Sequence, residues 1–413
     1  MSTRAWFPLL LLLATSSGCA EPSGACEPSS PEPPTEIAAP NWRPPSGPCQ
    51  IDPPDATRLL VTTTDHSTGA LTLVDLATRR VIPDVAEAST DAIPTWGAGS
   101  VQVVHRYGLD YVEVLDATAP ETLRSLQQIP VGLERRANPQ ALAFGPDDLA
   151  FVTLLAEPWI EVLDLRRRPD RALVDRIDLS AFADADGNPD AGVAVACGDT
   201  LYVAISRLDE GFTRVDYDAL VAVDMLERMP LSPERGPLRV RGRWLRQLRR
   251  DPADPAGTTV LALTTGIERI DLATQTVSWA VPDEAFRAAG IDHVHLPQAF
   301  DLSEDGTMAY LAAYAPADHD DAICSCDRDR CFNQVRLYRV GLDGREPRIP
   351  EPFAGGFLSI GSTLEVVGDR LWYGSSRVDA SGLWVFDLTV DPPEAIEGPL
   401  PTGLPPYAMV KIP

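Results

Sequence analysis

From Arg58 to Pro413 apolar and polar positions alternate in short runs, each bounded by Asp, Gly or Pro. Alternation with period two sends one face of a strand inward, and the turn residues end each run before a helical period can form. One type of run closes on Asp: LTLVD (71–75), YVEVLD (111–116), WIEVLD (159–164), LVAVD (220–224), GIERID (266–271) and LWVFD (383–387). A second run stands before each: LLVTTT (59–64), VQVVHR (101–106), LAFVTLL (149–155), LYVAIS (201–206), TVLALTT (259–265) and LWYGSS (371–376). MAYLAAY (308–314) with VRLYRV (335–340) brings the total to seven pairs, spaced about 50 residues apart as propeller blades are.

In the clearest units a third run comes first, as in PQALAFGPDD (139–148), DAGVAVACGD (190–199) and PQAFDLSEDG (297–306), and a fourth follows, as in LRSLQQIPVG (123–132). Blade 2 shows no clear first run. This order resembles the YVTN-type β-propeller repeat, also found in lactonase-like propellers. The resemblance implies an all-β, seven-bladed β-propeller in which each unit is a four-stranded antiparallel sheet covered on both faces by its neighbours. The two ends are complementary. The body opens on a second run, LLVTTT, and the chain finishes PTGLPPYAMVKIP, so a strand at Tyr407–Ile412 is expected to complete blade 1.

Ahead of the propeller (58–413) two further segments are expected. Residues 1–18 carry Arg4, an apolar run from Leu9 to Ala14 and then small residues, which reads as a secretory signal. Ser17-Gly18-Cys19 resembles the lipobox of bacterial lipoproteins, with Ser16 where that family usually has Leu. The resemblance implies lipidation at Cys19, and Ala20 after it implies the outer membrane. Residues 19–57 form the expected linker. From Ala20 to Thr57 there are eleven prolines, six acids and one Arg, too little apolar surface to offset chain entropy, so an extended, unfolded stalk is expected.

Charge narrows the partners. A formal net charge of −25 argues against nucleic acid. Among 35 basic residues only Lys411 is lysine, which GC-rich codon usage explains without a function. The expected partners are a membrane, through the lipid anchor, and a protein or polysaccharide ligand, with the chain monomeric.

Two constellations fall on the face built by the 2–3 loops and the connections between blades. DHDDAICSCDRDRC (318–331) is the 2–3 loop of blade 6, and AAGIDHVHLP leads into that blade. His293, His295, His319, Asp318, Cys324, Cys326 and Cys331 are thus placed to converge, and thiolates with imidazoles suit Zn or Cu. Disulfides are the favoured reading, because extracytoplasmic cysteines oxidise and six remain once Cys19 is lipidated. Cys26 with Cys49 would close a loop in the stalk, and Cys331 with Cys324 or Cys326 would tie the blade 6 loop. Cys197, on the opposite face, is left without an obvious partner. The connection into blade 4 offers Asp184, Asp186, Asn188 and Asp190, oxygen ligands of the kind Ca²⁺ takes, although Gly187 stands fourth where an EF-hand has its glycine sixth. Asp209, Glu210, Asp216 and Asp218 add acids from blade 4's own loop. The competing reading is a set of Asx turns.

ERGPLRVRGRWLRQLRRD (234–251) contains seven arginines. Arg239, Arg241 and Arg243 alternate on one face of an outer strand, either as a dock for an anionic polymer such as lipopolysaccharide or as solvated edge charges. Trp96, Trp159, Trp372 and Trp384 are expected to pack between blades. There is no G-x-S-x-G elbow, H-E-x-x-H pair, P-loop or dinucleotide fingerprint. The first runs ALAF, VAVA and AFDL are largely apolar. A non-catalytic binding or scaffold module using loops of blades 4 and 6 is therefore preferred over the alternative, a metal-dependent, lactonase-like hydrolase with a central acidic mouth.

Overall fold

The structure, a computed structural model, describes residues 42–50, 53, 55–133, 136–208, 217–291, 297–315, 334–342, 349–359, 361 and 363–413. Seven antiparallel sheets follow one another along the chain, six with four strands and one, blade 4, with five. Blade 1 is completed from the far end. The strand Pro406–Ile412 pairs with Arg58–Thr64, bringing Arg58 opposite Ile412 and Val61 opposite Met409. Arg58 adds a clasp, donating to Pro413 O from Nε at 3.0 Å and from Nη2 at 2.7 Å.

The seams explain the sequence pattern. Seven apolar clusters occupy the seven junctions between neighbouring blades, including blade 7 with blade 1. A middle strand is covered on both faces, so Thr200–Ile205 and Ala219–Asp224 are buried throughout. An outermost strand has one neighbour fewer, and Arg124–Pro130 is mostly exposed. Trp372 and Trp384 stand in seams, as do Trp96 and Trp159, packed against the junctions of blades 1 with 2 and 2 with 3.

Two local expectations need correction. Blade 2 does have a first strand, Ala92–Gly97 (AIPTWG). Pro94 disguises it, yet an innermost strand has one edge on the channel and tolerates a residue with no N–H to donate. The arginine run 234–251 is not one flank either. It crosses from the rim of blade 4, where Leu238–Arg239 pairs with Ala219–Leu220, to the innermost strand of blade 5, Gln247–Arg250.

The linker expected over 19–57 is also shorter than its composition implies. The compact unit begins at Ala39, and Trp42–Gln50 is laid across the face opposite the 2–3 loops. Trp42 is 4% exposed and packs on Tyr202, with ring centroids 5.6 Å apart. Arg43 pairs with Asp199 and Asp224. Cys49 forms a disulfide with Cys197, at the end of blade 4's first strand, across 148 residues, and not with Cys26. Cys49 N donates to Gly257 O at 2.7 Å, and Gln50 N to Ala196 O at 2.8 Å. The Gln50 carboxamide reaches Phe144 O at the end of blade 3's innermost strand. A proline-rich segment with no period of its own is thus ordered by the groove it fills. Cys26, together with Cys19 and the signal segment 1–18, lies outside the described residues. Among the described residues no helix is long and apolar enough to cross a membrane.

Candidate functional site

The 2–3 loops and the connections into the following blades share one face, the loop face. Among the described residues, one exposed apolar patch of this face lies over blades 2 and 3. Tyr107 and Leu109, in the 2–3 loop of blade 2, are 50% and 56% exposed, and Leu133, in the connection into blade 3, is 61% exposed. Asp110 fastens the two segments together. Its carboxylate accepts from Arg136 N at 2.6 Å, Asn138 N at 3.1 Å and Gly108 N at 3.4 Å, while Asp110 O accepts from Val131 N at 2.9 Å. Glu157 Oε1 holds Leu133 N at 2.8 Å. Beside these residues is a cavity of ≈ 260 Å³ lined chiefly by Leu133, Arg136, Ala137, Glu157 and Trp159. Apolar side chains exposed next to a cavity are a feature that contact surfaces commonly use.

Buried carboxylates fasten loops elsewhere on this face. Asp218, fully buried, accepts from Leu245 N at 3.1 Å in the connection into blade 5. Glu268 accepts from Arg241 N at 2.7 Å and Gly242 N at 2.8 Å, and burial raises its carboxyl above the usual range. Asp110 and Asp218 occupy the same place, the residue before the third strand of a blade. That shared register was the signal that could have revealed them.

The Asp184–Asp190 segment is a self-bonded turn. Asp184 Oδ1 accepts from Asp186 N at 3.1 Å, Asp186 Oδ1 from Asn188 N at 2.8 Å, and Asp184 N donates to Asn188 O. The Asn188 carboxamide bridges back to blade 3 by donating to Leu155 O. Asp190, 4% exposed, accepts from Leu208 N and from Asn188 Nδ2. Burial first, then the neighbouring Asp186 and Asp184 charges, push its carboxyl up to about 7. Among the described residues no group of three or more His, Cys, Asp and Glu side chains is placed to hold a metal ion. His293, His295, His319, Asp318, Cys324, Cys326 and Cys331 lie outside the described residues, as do Asp209, Glu210 and Asp216.

Sequence reasoning missed the side-chain networks of the channel. At its loop-face end Arg106 joins three blades. Its Nε donates to Asp91 Oδ1 at 3.0 Å, its Nη1 to Gln140 Oε1 at 3.0 Å and its Nη2 to Tyr407 OH at 2.8 Å. Burial disfavours the Arg106 charge, yet Tyr407 and Asp91 outweigh it, and the guanidinium is more basic than usual. Burial in turn pushes the Tyr407 hydroxyl up to about 12. A second network joins the innermost strands of blades 5, 6, 7 and 1. Arg249 Nη2 lies 3.0 Å from Glu365 Oε1, and Lys411 Nζ lies 3.3 Å from both Asp301 and Glu365. Arg249 Nε is 3.6 Å from Asp301, whose Oδ2 also accepts from Val366 N at 2.8 Å. Pairs that skip a blade must meet through the channel, and the chain's single lysine is one of the four. Two acids and two bases balance, so the acids here are already engaged by cations of the chain itself.

Neither a protein-family model nor a curated protein matches the sequence. Solved structures do. The periplasmic gluconolactonase PpgL of Pseudomonas aeruginosa is 15% identical, with 86% of this chain and 99% of that one covered at a TM-score of 0.55. A protein from Lactobacillus plantarum is 13% identical, with 87% and 100% covered at 0.53. The β-propeller domain of Cps50 (Swd1) from Myceliophteria thermophila is 14% identical, with 83% and 97% covered at 0.54. Fold and function separate readily in propellers. What these likenesses establish is that the chain is a seven-bladed β-propeller of the architecture that lactonase-like proteins also use.

Proposed function

We propose that the chain is an extracytoplasmic, non-catalytic binding module that takes a protein or polysaccharide ligand on its loop face. The observation that carries this reading is the patch of Tyr107, Leu109 and Leu133 beside the blade 2–3 cavity, held outward by Asp110 and Glu157. Loops whose backbone is already fixed lose little freedom on binding, which favours complex formation. The paired channel charges support binding over hydrolysis, since Asp301 and Glu365 are neutralised by Arg249 and Lys411. The Cys49–Cys197 bridge supports an oxidising compartment. Attachment to the outer membrane through Cys19 belongs to the same proposal.

The test replaces Tyr107, Leu109 and Leu133 with Ser and, in a control, Leu226, Met229 and Ile396, which are exposed elsewhere. Both proteins are compared with the parent for retention of envelope components at equal loading. Loss in the first variant alone is expected. Equal retention by both, or loss only in the control, refutes the reading, as does hydrolysis of a sugar lactone that Glu365→Gln abolishes.

A further inference from the structure

The seven arginines between Glu234 and Asp251 do not share a role. Arg249 lies in the channel network, Arg246 reaches Gln298, and Arg250 is half-buried on the same innermost strand as Arg249. Arg235, Arg239, Arg241 and Arg243 remain exposed on the rim where blade 4 meets blade 5. Burial alternates along this stretch: Leu238, Val240 and Gly242 are buried, and the arginines between and after them face water. Leu238 and Val240 belong to the apolar cluster of the blade 4–5 seam, which fixes the direction of the guanidinium groups.

Two of these guanidinium groups are held by contacts other than ion pairs, and the Arg241 charge also favours the ionised form of the buried Glu268 that binds its N–H. Arg239 lies 3.7 Å from the centroid of the Tyr217 ring, and Arg241 Nε donates to Val277 O at 3.0 Å. Among the described residues no carboxylate forms an ion pair with any of the four, although acids outnumber bases 60 to 35. Arginines elsewhere on the surface, such as Arg80, Arg124, Arg176, Arg339 and Arg377, are paired with acids. Guarding a strand edge does not account for Arg241 and Arg243, which lie beyond the outer strand Leu238–Arg239 and belong to no strand. The seam has a second occupant. Trp42 packs into the same apolar cluster.

We propose that this arginine rim docks on a membrane surface bearing anionic phosphate headgroups. The net charge of −25 does not forbid it. Screening confines the interaction to about 8 Å at physiological salt, so the charges at the contact decide the sign. Phosphate oxygens suit the planar, always charged guanidinium fork. The rim lies apart from the blade 2–3 patch, and neither reading requires the other.

The test uses the compact unit Ala39–Pro413, which carries all seven blades. It is sedimented with vesicles of phosphatidylcholine, with and without phosphatidylglycerol. Binding to the anionic vesicles that weakens with salt is expected. R239Q/R241Q/R243Q should lower apparent affinity roughly 100-fold, at about fivefold per arginine. R124Q/R166Q/R168Q makes the same change in net charge where each arginine is already paired, and should leave binding within about twofold of the parent. Unchanged thermal midpoints show that both variants keep the fold. Equal binding to both vesicle types, or equal loss in the two triple variants, overturns the proposal. Binding of inorganic phosphate without any retention on vesicles also overturns it, in favour of a soluble phosphate ligand.

Discussion

Removing the Cys49–Cys197 bridge should weaken the protein in two separable steps. The bridge closes 148 residues, three blades and part of a fourth. The chain-entropy relation gives about 5 kcal/mol at 25 °C for a loop of that length, an upper value because unfolded chains keep residual structure. The segment would still be held by backbone bonds from Cys49, Gln50 and Gly198, by the Arg43 pairs and by buried Trp42. In the double variant Cys49→Ala/Cys197→Ala, Trp42 should therefore leave its seam at lower denaturant than the blades unfold. The global transition should fall by about 2–5 kcal/mol. Guanidinium titration followed by tryptophan fluorescence and by far-ultraviolet circular dichroism separates the two steps, with alkylation before reduction reporting the bridge in the parent. Free alkylation of Cys49 and Cys197 in unreduced protein, or a Cys26–Cys49 linked peptide, would refute the reasoning.

Three further outcomes follow from buried charge. Asp190 has a raised folded value near 7, so between roughly pH 4 and 7 the folded state binds a proton that the unfolded state has lost. Its contribution therefore makes stability fall as pH rises through that window, by at most about 1.4 kcal/mol per unit, and Asp190→Asn should flatten the slope in chemical denaturation. Lys411→Met removes one cation from a network in which Asp301 and Glu365 are 5% and 3% exposed, and should lower stability by roughly 3 kcal/mol. An unchanged unfolding midpoint would show that these acids do not depend on it. Asp110→Ala should barely affect blade formation yet speed amide exchange at Arg136 and Asn138, whose N–H groups it holds.

The ring was legible because its physics is periodic. Each blade repeats the same doubly covered middle strands, and the missing first strand of blade 1 matched a spare strand at Tyr407–Ile412, which the structure places in Pro406–Ile412. Blade 2 escaped because Pro94 interrupts its first strand without preventing it. Site features were harder to read. A disulfide between Cys49 and Cys197 depends on where the ring sets the start of its first blade, which no spacing reports. Arg249, Asp301, Glu365 and Lys411 come from four blades and meet only because innermost strands converge on one axis. The arginine run looked continuous in sequence, but the step from an outermost to an innermost strand splits it. Acids that resembled cation ligands, Asp184–Asp190 and Asp218, are occupied by backbone N–H groups.

The binding role of the loop face is tested most directly by site-specific photo-cross-linking. A photoreactive residue at Leu133, beside the blade 2–3 cavity, is compared with one at Leu226, on the opposite face, in protein produced in its own envelope. The account predicts one discrete adduct from position 133, absent from position 226 and lost when Tyr107 and Leu109 are changed to Ser. Adducts of equal yield from both positions, or from 226 alone, would contradict it.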